Sequence, residues 1–193
     1  MATTETRALL LKTEITKYTG LLYERGLTSS LSGNISVRAE QIVFISPTKV
    51  PRYRIRPDDV SVVTMAGEHL EGKRPSSELP THLAIYNATE SSAIVHAHSR
   101  FATALSCLGR DLESPDVEGK YLLGRVPLIP YEEPGTSDLG DAVSRGISGC
   151  KGALLQNHGL IAVGANLEQA FIVAEHIERA AQLTFDLSML SRP

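Results

Sequence analysis

The sequence has no tryptophan, only two cysteines, and no long run of apolar residues. No stretch approaches the roughly 20 apolar residues that carry a helix across a bilayer, so no membrane span is expected. The first residues, Met1 to Leu11, offer three adjacent leucines and carry Glu5 and Arg7, with Lys12 next. That pattern lacks the apolar stretch of a secretory signal. Cys107 and Cys150 stand far apart, in neither a disulfide nor a metal-binding pattern, which fits structural thiols kept reduced in the cytoplasm. No block of like charge is present either. The 19 basic and 22 acidic residues are mixed along the chain for a net charge of −3, which leaves no electrostatic footprint for nucleic acid or a membrane surface. Repeats, low-complexity tracts and linkers are absent as well. At 193 residues and 42% hydrophobic content, the chain is expected to form one domain over 1–193 with a buried core.

The residues present describe helices interleaved with short strands. Leu11, Ile15, Tyr18 and Leu22 recur at three or four residues and Gly26 follows, which predicts an amphipathic helix over Thr4 to Glu24. Strands are predicted at Asn34 to Arg38, Ile42 to Ile45 and Val60 to Thr64, punctuated by Pro47, Pro51, Pro57 and Gly67. A helix over Glu78 to Asn87, capped by Ser76 or Ser77, leads to a buried strand, Ala93 to His98. Helices over Arg100 to Leu108 and Ser137 to Ile147 follow, separated by a loop with Pro127, Pro130 and Pro134. Strands Gly152 to Gln156 and Leu160 to Gly164 precede a last helix, Leu167 to Leu190. Such interleaving indicates a layered α/β fold.

Chemistry is suggested first by histidine placement. In Ile94-Val95-His96-Ala97-His98 two imidazoles sit at i and i+2 of a strand, so both leave the same face. A third, His158, ends an apolar strand and is followed by Gly159, which permits close backbone approach. Three imidazoles with a fourth position open describe a catalytic zinc site, although iron, manganese or cobalt would also accept them. Taken alone, a His-x-His is as readily a pair of ordinary core or surface histidines. Half of the six histidines, however, fall in these two segments. His69, in a polar turn, and His82 and His176, on helices, read as structural or solvated.

Anion binding is suggested by Lys73-Arg74-Pro75-Ser76-Ser77-Glu78, where hydroxyls and a carboxylate meet a helix start and its free amides. The alternative is simple capping. Turns at Ser30 to Asn34 and Ser46 to Lys49 could add amides and hydroxyls to the same oxyanion. Arg52, Arg54 and Arg56 alternate nearby; they could attract an anionic substrate or form a solvated edge.

Five segments, Ser32 to Arg38, Ser46 to Thr48, Pro75 to Glu78, His96 to His98 and Asn157 to Leu160, resemble in order the motifs of the class II aldolase/adducin family. The likeness covers nearly the whole chain and is greatest to members acting on L-fuculose 1-phosphate. It implies a three-layer αβα sandwich around a mixed or antiparallel sheet, and a homotetramer with active sites between subunits. It implies zinc held by His96, His98 and His158. Glu78 would be a further ligand in the substrate-free state and the acid/base. It also implies phosphate binding at Gly33, Asn34, Thr48, Ser76 and Ser77. The reaction implied is cleavage of a ketose 1-phosphate, such as L-fuculose 1-phosphate, to dihydroxyacetone phosphate and L-lactaldehyde. The same scaffold also serves a zinc-dependent decarboxylase, a methylthioribulose-1-phosphate dehydratase and a non-catalytic adducin-like assembly module. Three departures stand out. Lys49 occupies a family glycine position and could strengthen or crowd the phosphate site. The expected proton-donor tyrosine has no match near Ser114 to Glu118, leaving Tyr121 as the nearest candidate. A mobile tail beyond the last helix is not expected.

Overall fold

The computed structural model describes residues 4–191. Their elements run α1 (Thr4–Glu24), β1 (Asn34–Ala39), β2 (Ile42–Ile45), β3 (Ser61–Thr64), β4 (His69–Glu71), α2 (Leu79–Ala88), β5 (Ala93–Ala97), α3 (Arg100–Ser106), α4 (Val117–Leu123), β6 (Leu128–Ile129), α5 (Ser137–Gly146), β7 (Gly152–Leu155), β8 (Gly159–Gly164) and α6 (Leu167–Leu190). The strands form one sheet in the order β4-β3-β2-β1-β5-β8-β7-β6. Every neighbouring pair is antiparallel except β6 and β7.

Strand alternation divides the apolar residues between two cores. Phe44, Val95, Leu154, Leu160 and Ala162 face α1, α3, α4 and α6. Val43, Ile45, Ile94, Ala153, Leu155, Ile161 and Val163 face α2 and α5. A sheet buried on both faces reads as continuous apolar runs, which is why β5, β7 and β8 carry so few polar residues. The result is the three-layer αβα sandwich implied by the family motifs. Helix α6 lays Leu167, Ala170, Phe171, Ala174, Ile177 and Ala181 on the sheet at helical spacing. Its Glu178 carboxylate accepts from the free amides of Phe101 (2.9 Å) and Ala102 (2.8 Å). That contact caps the first turn of α3 and anchors the chain just after His98.

The differences from the sequence reading have local causes. Strand β4 is exposed along its length and β6 has two residues, so neither shows a burial pattern. His69 accordingly lies in β4, not in a turn. Helix α4 has seven residues and starts where Asp116 accepts from the Gly119 amide, 3.0 Å away. It is too short to show amphipathic periodicity. Ser76 and Ser77 do not cap α2; Glu78 occupies that position, without a side-chain cap bond. Cys107 is exposed at the end of α3, while Cys150 is half-buried against the α2/α5 core.

Register places the chemistry. Asn34 pairs with His96 across β1 and β5, and His96 with Ile161 across β5 and β8. The ends of three strands therefore meet at one point. Gly159 is the tightest element there, because a Cβ on it would lie 2.3 Å from the Ala97 carbonyl oxygen. Gly159→Ala is expected to cost about 1–3 kcal/mol through backbone displacement, measured by urea unfolding with chelator present. A change under about 0.5 kcal/mol, the range of ordinary surface substitutions, would contradict this packing.

Candidate metal centre

The strand ends bring His96, His98, His158 and Glu78 together, with one ligand atom from each lying within 4.8 Å of all the others. His96, on β5, shares the face of Ile94, toward α2, whose N-cap residue is Glu78, and His98 follows just past the end of that strand. His158 arrives on the β7–β8 turn, where Asn157 takes the left-handed conformation (φ 59°) that asparagine tolerates better than most residues. The three rings fan around a common centre, with centroids 4.7–4.8 Å apart and planes inclined by 66–82°.

This donor set fits a metal ion. The Leu160 carbonyl can only accept, so its 2.8 Å contact with His96 Nδ1 places the hydrogen there and turns the Nε2 lone pair inward. His96 Nε2 lies 2.9 Å from His98 Nε2, an arrangement that requires a proton or a cation between the two. Glu78 Oε2 is 3.3 Å from His96 Nε2, and Oε1 is 3.5 Å from His158 Nε2. Donors about 2.0–2.1 Å from a shared tetrahedral centre stand roughly 3.3 Å apart, close to these separations.

Electrostatics follow from burial and crowding. Burial alone would raise the Glu78 pKa, but the His96 and His158 imidazoles hold it well below the usual carboxylate range. Burial, reinforced by His96 and His158, pushes His98 down to about 3, so it is neutral. Burial acts to lower His96 too, but the Glu78 carboxylate overrides it and raises the pKa above its ordinary value. Both shifts favour a protonated His96 imidazole against the Glu78 carboxylate when no cation balances that carboxylate.

Beside the metal cluster lies a set of turns. Gly33 (φ 72°) is pressed against the chain, where a Cβ would meet Thr28 Oγ1 at 2.7 Å and the His96 carbonyl at 2.9 Å. Asn34, 3% exposed, accepts through Oδ1 from His82 Nε2 at 2.5 Å. His82 is buried and neutral, its pKa lowered by burial to about 3. Its Nδ1 contacts Ser36 Oγ at 2.6 Å, and Ser36 Oγ contacts the Tyr86 hydroxyl at 2.7 Å. In this arrangement Tyr86 donates to Ser36, Ser36 to His82 and His82 to Asn34, leaving the Asn34 amide hydrogens for another acceptor. Of the two readings offered for His82, the structural one holds. Pro47 bridges to Pro75, and the Thr48 amide donates to the Arg74 carbonyl at 3.0 Å, so the turns carrying Thr48 and Ser76 are joined. Ser76 is buried, and its Oγ accepts from the Glu78 amide at 3.3 Å. Ser77 is exposed beside Gly135. Lys49 is exposed at φ 59°, so the turn keeps a glycine-like backbone while carrying a cation. It lines a groove of about 780 Å³ with Arg54, Arg56 and Lys73; none of the cluster histidines reaches that groove.

Two features escaped sequence reasoning. Arg52 is no member of a solvated edge. It lies in a 3-10 turn, Arg52–Arg54, only 4% exposed, whereas Arg54 and Arg56 are exposed. Pro51 and Pro57 on either side were the available signal against a strand. The loop after β6 also borders the site. The Tyr131 amide donates to Gln156 Oε1 (3.1 Å), the Tyr131 hydroxyl donates to Glu133 (2.8 Å), and Gly135 packs on the Ser77 carbonyl. Tyr121, by contrast, is 88% exposed on α4. Its neighbour Leu122 accepts from Lys151, which precedes β7, whereas His158 follows that strand. Tyr121 and His158 thus belong to opposite ends of β7 within one chain.

Comparison with known proteins agrees with this geometry. Residues 13–185 match the family model described as class II aldolase and adducin N-terminal domain. A 5-deoxy-D-ribulose 1-phosphate aldolase from Bacillus thuringiensis serovar kurstaki is 39% identical over 93% of this chain and 86% of its own. A 3-oxo-tetronate 4-phosphate decarboxylase from Pectobacterium atrosepticum is 34% identical over 91% of this chain and 84% of its own. A solved L-fuculose 1-phosphate aldolase superposes with a TM-score of 0.89 at 32% identity, covering 100% of this chain and 91% of the other.

Metal uptake is expected to expel the His96 proton. Because the His96 pKa is raised, binding should release protons, and affinity should fall as pH falls. Calorimetric titration with zinc in buffers of different ionisation enthalpy measures the proton count. Buffer-independent heats would contradict the assignment.

Proposed function

We infer that this chain, which belongs to the class II aldolase and adducin family, is a zinc-dependent aldehyde-lyase cleaving a ketose 1-phosphate to dihydroxyacetone phosphate and an aldehyde. L-Fuculose 1-phosphate, yielding L-lactaldehyde, is the leading substrate. The observation carrying this reading is the register that seats Asn34 beside His96, which sets turns rich in amides and hydroxyls next to a three-histidine, one-carboxylate cluster. A phosphate held on the turns lies next to the cluster, as a phosphorylated carbonyl substrate requires.

His96, His98 and His158 would hold zinc, with Glu78 as a further ligand before substrate enters. When bound, zinc supplies a Lewis acid for the substrate's carbonyl and hydroxyl oxygens. Gly33, Asn34, Thr48, Ser76 and Ser77 would grip the phosphate, with Lys49 at its rim, and binding at this remote group would align the reacting carbons. Glu78 would give a proton to C3 of the three-carbon enediolate in cleavage and remove it in synthesis. Burial alone raises the pKa of Glu78, so release from its imidazole partners would make it a stronger base. Tyr121, the candidate second proton donor, could serve only a neighbouring subunit's site. Its exposure suits a homotetramer with shared active sites. No helix among the described residues is long and apolar enough to cross a membrane, which is compatible with a cytoplasmic enzyme.

The test incubates the zinc-loaded protein with ketose 1-phosphates and assays dihydroxyacetone phosphate. Product formation abolished by chelator and restored by zinc is the expected outcome. Glu78→Gln is expected to lower turnover by about 10²–10⁴ and to suppress proton exchange at C3. Carbon dioxide release from a 3-oxo acid phosphate would replace this reading with a decarboxylase, as in the Pectobacterium relative. Loss of water from methylthioribulose 1-phosphate would replace it with a dehydratase. Absence of turnover would favour the assembly module.

A further inference from the structure

Arg52 stands out as a buried cation without a carboxylate partner. Its Nε donates to the Ser32 carbonyl (3.1 Å), Nη1 to Pro47 (3.0 Å) and Nη2 to Leu31 (2.9 Å). Its own amide donates to the Ser30 carbonyl at 2.8 Å. One residue therefore grips both the turn carrying Gly33 and Asn34 and the turn carrying Thr48. The carbonyls solvate the guanidinium but do not neutralise it, and among the described residues no carboxylate oxygen lies within ion-pair distance. The carboxylate whose field it feels is Glu78, already engaged by His96 and His158. Burial lowers the Arg52 pKa only to about 10, so the charge persists at neutral pH.

A buried charge is normally paired, and this one lies behind turns whose other features suit an oxyanion. Peptide geometry adds a second effect. A trans peptide sets its N–H opposite its C=O, so Arg52, by drawing the Ser32 carbonyl inward, turns the Gly33 amide away from itself. Three of its five N–H donors are engaged, leaving two for another acceptor.

We propose that Arg52 is a positioning residue of the anion site, clamping its two turns in one geometry and supplying the fixed positive charge that attracts the substrate's phosphate. This rests on the reading of these turns as a phosphate site.

The probe is inorganic phosphate, measured by equilibrium binding to zinc-loaded protein freed of excess metal, at several salt concentrations. Arg52→Gln keeps donors for the carbonyls but removes the charge. It is expected to weaken phosphate binding about tenfold or more and flatten its salt dependence, with zinc content unchanged. With a ketose 1-phosphate, KM should rise by a similar factor, a larger effect than any fall in kcat. Arg52→Lys, which restores charge without the planar fork, should recover the salt dependence and part of the affinity. If Arg52→Gln does not fold, Arg52→Lys decides, and parental affinity in that variant overturns the clamp. Ser76→Ala separates the two readings. If it weakens phosphate binding while Arg52→Gln does not, the Arg52 inference fails alone; if neither does, the phosphate site fails with it.

Discussion

The pairing of β1, β5 and β8 is the constraint on which the rest depends. Asn34 stands opposite His96, and His96 opposite Ile161. A slip of one residue would turn every side chain of β5 to the other face, taking His96 away from Glu78 and exposing Ile94 to the wrong core. The two apolar cores, one on each face, therefore hold the side chains of the cluster in place. Even the tautomer of His96 follows from this register, because the Leu160 carbonyl that fixes it belongs to the paired strand.

Charge is separated along the site. Three imidazoles and Glu78 form one end, where a cation settles competition for a proton. Arg52 and the polar turns form the other, where the buried guanidinium has no carboxylate within ion-pair distance among the described residues. Neither half is comfortable in a buried setting by itself. A substrate that is phosphorylated at one end and carries oxygen donors near the other answers both demands at once. This complementarity, more than either half, is what links the fold to a sugar phosphate.

Much of this was legible in the sequence where side-chain spacing carries the signal. The His-x-His on a strand, the glycine after His158 and the order of the five motifs pointed to the cluster the structure assembles. The helices of α1, α2, α5 and α6 were visible within a residue or two, since each buries an apolar face over several turns. What was not legible lacks periodicity. Strands β4 and β6 have no buried alternation, and α4 is only seven residues long. The position of Arg52 was hidden for a different reason: three arginines at alternate positions look the same whether the backbone is a strand or a 3-10 turn. Only contact with carbonyls remote in sequence reveals the one that turns inward. The His82 chain was missed in the same way, because its partners Ser36 and Asn34 lie across the core.

The same reasoning explains why substrate class is easier to read than substrate identity. The set of turns proposed to take the phosphate is held by backbone bridges, Arg52 and the Asn34–His82–Ser36–Tyr86 chain, all within this chain. Its geometry is set before any ligand arrives, which lowers the ordering cost of binding. The proposed aldehyde end has no comparable frame. It is bordered by the Tyr131 to Gly135 loop, whose polar contacts are mostly exposed. Relatives of similar identity are named for different sugar phosphates and for a decarboxylation, as expected if a rigid phosphate and metal frame is retained while the bordering loops change. Lys49 and Arg52 reinforce that division. On the proposed reading both add positive charge at the phosphate end, which would concentrate affinity where substrates are alike and leave discrimination to the loops where they differ.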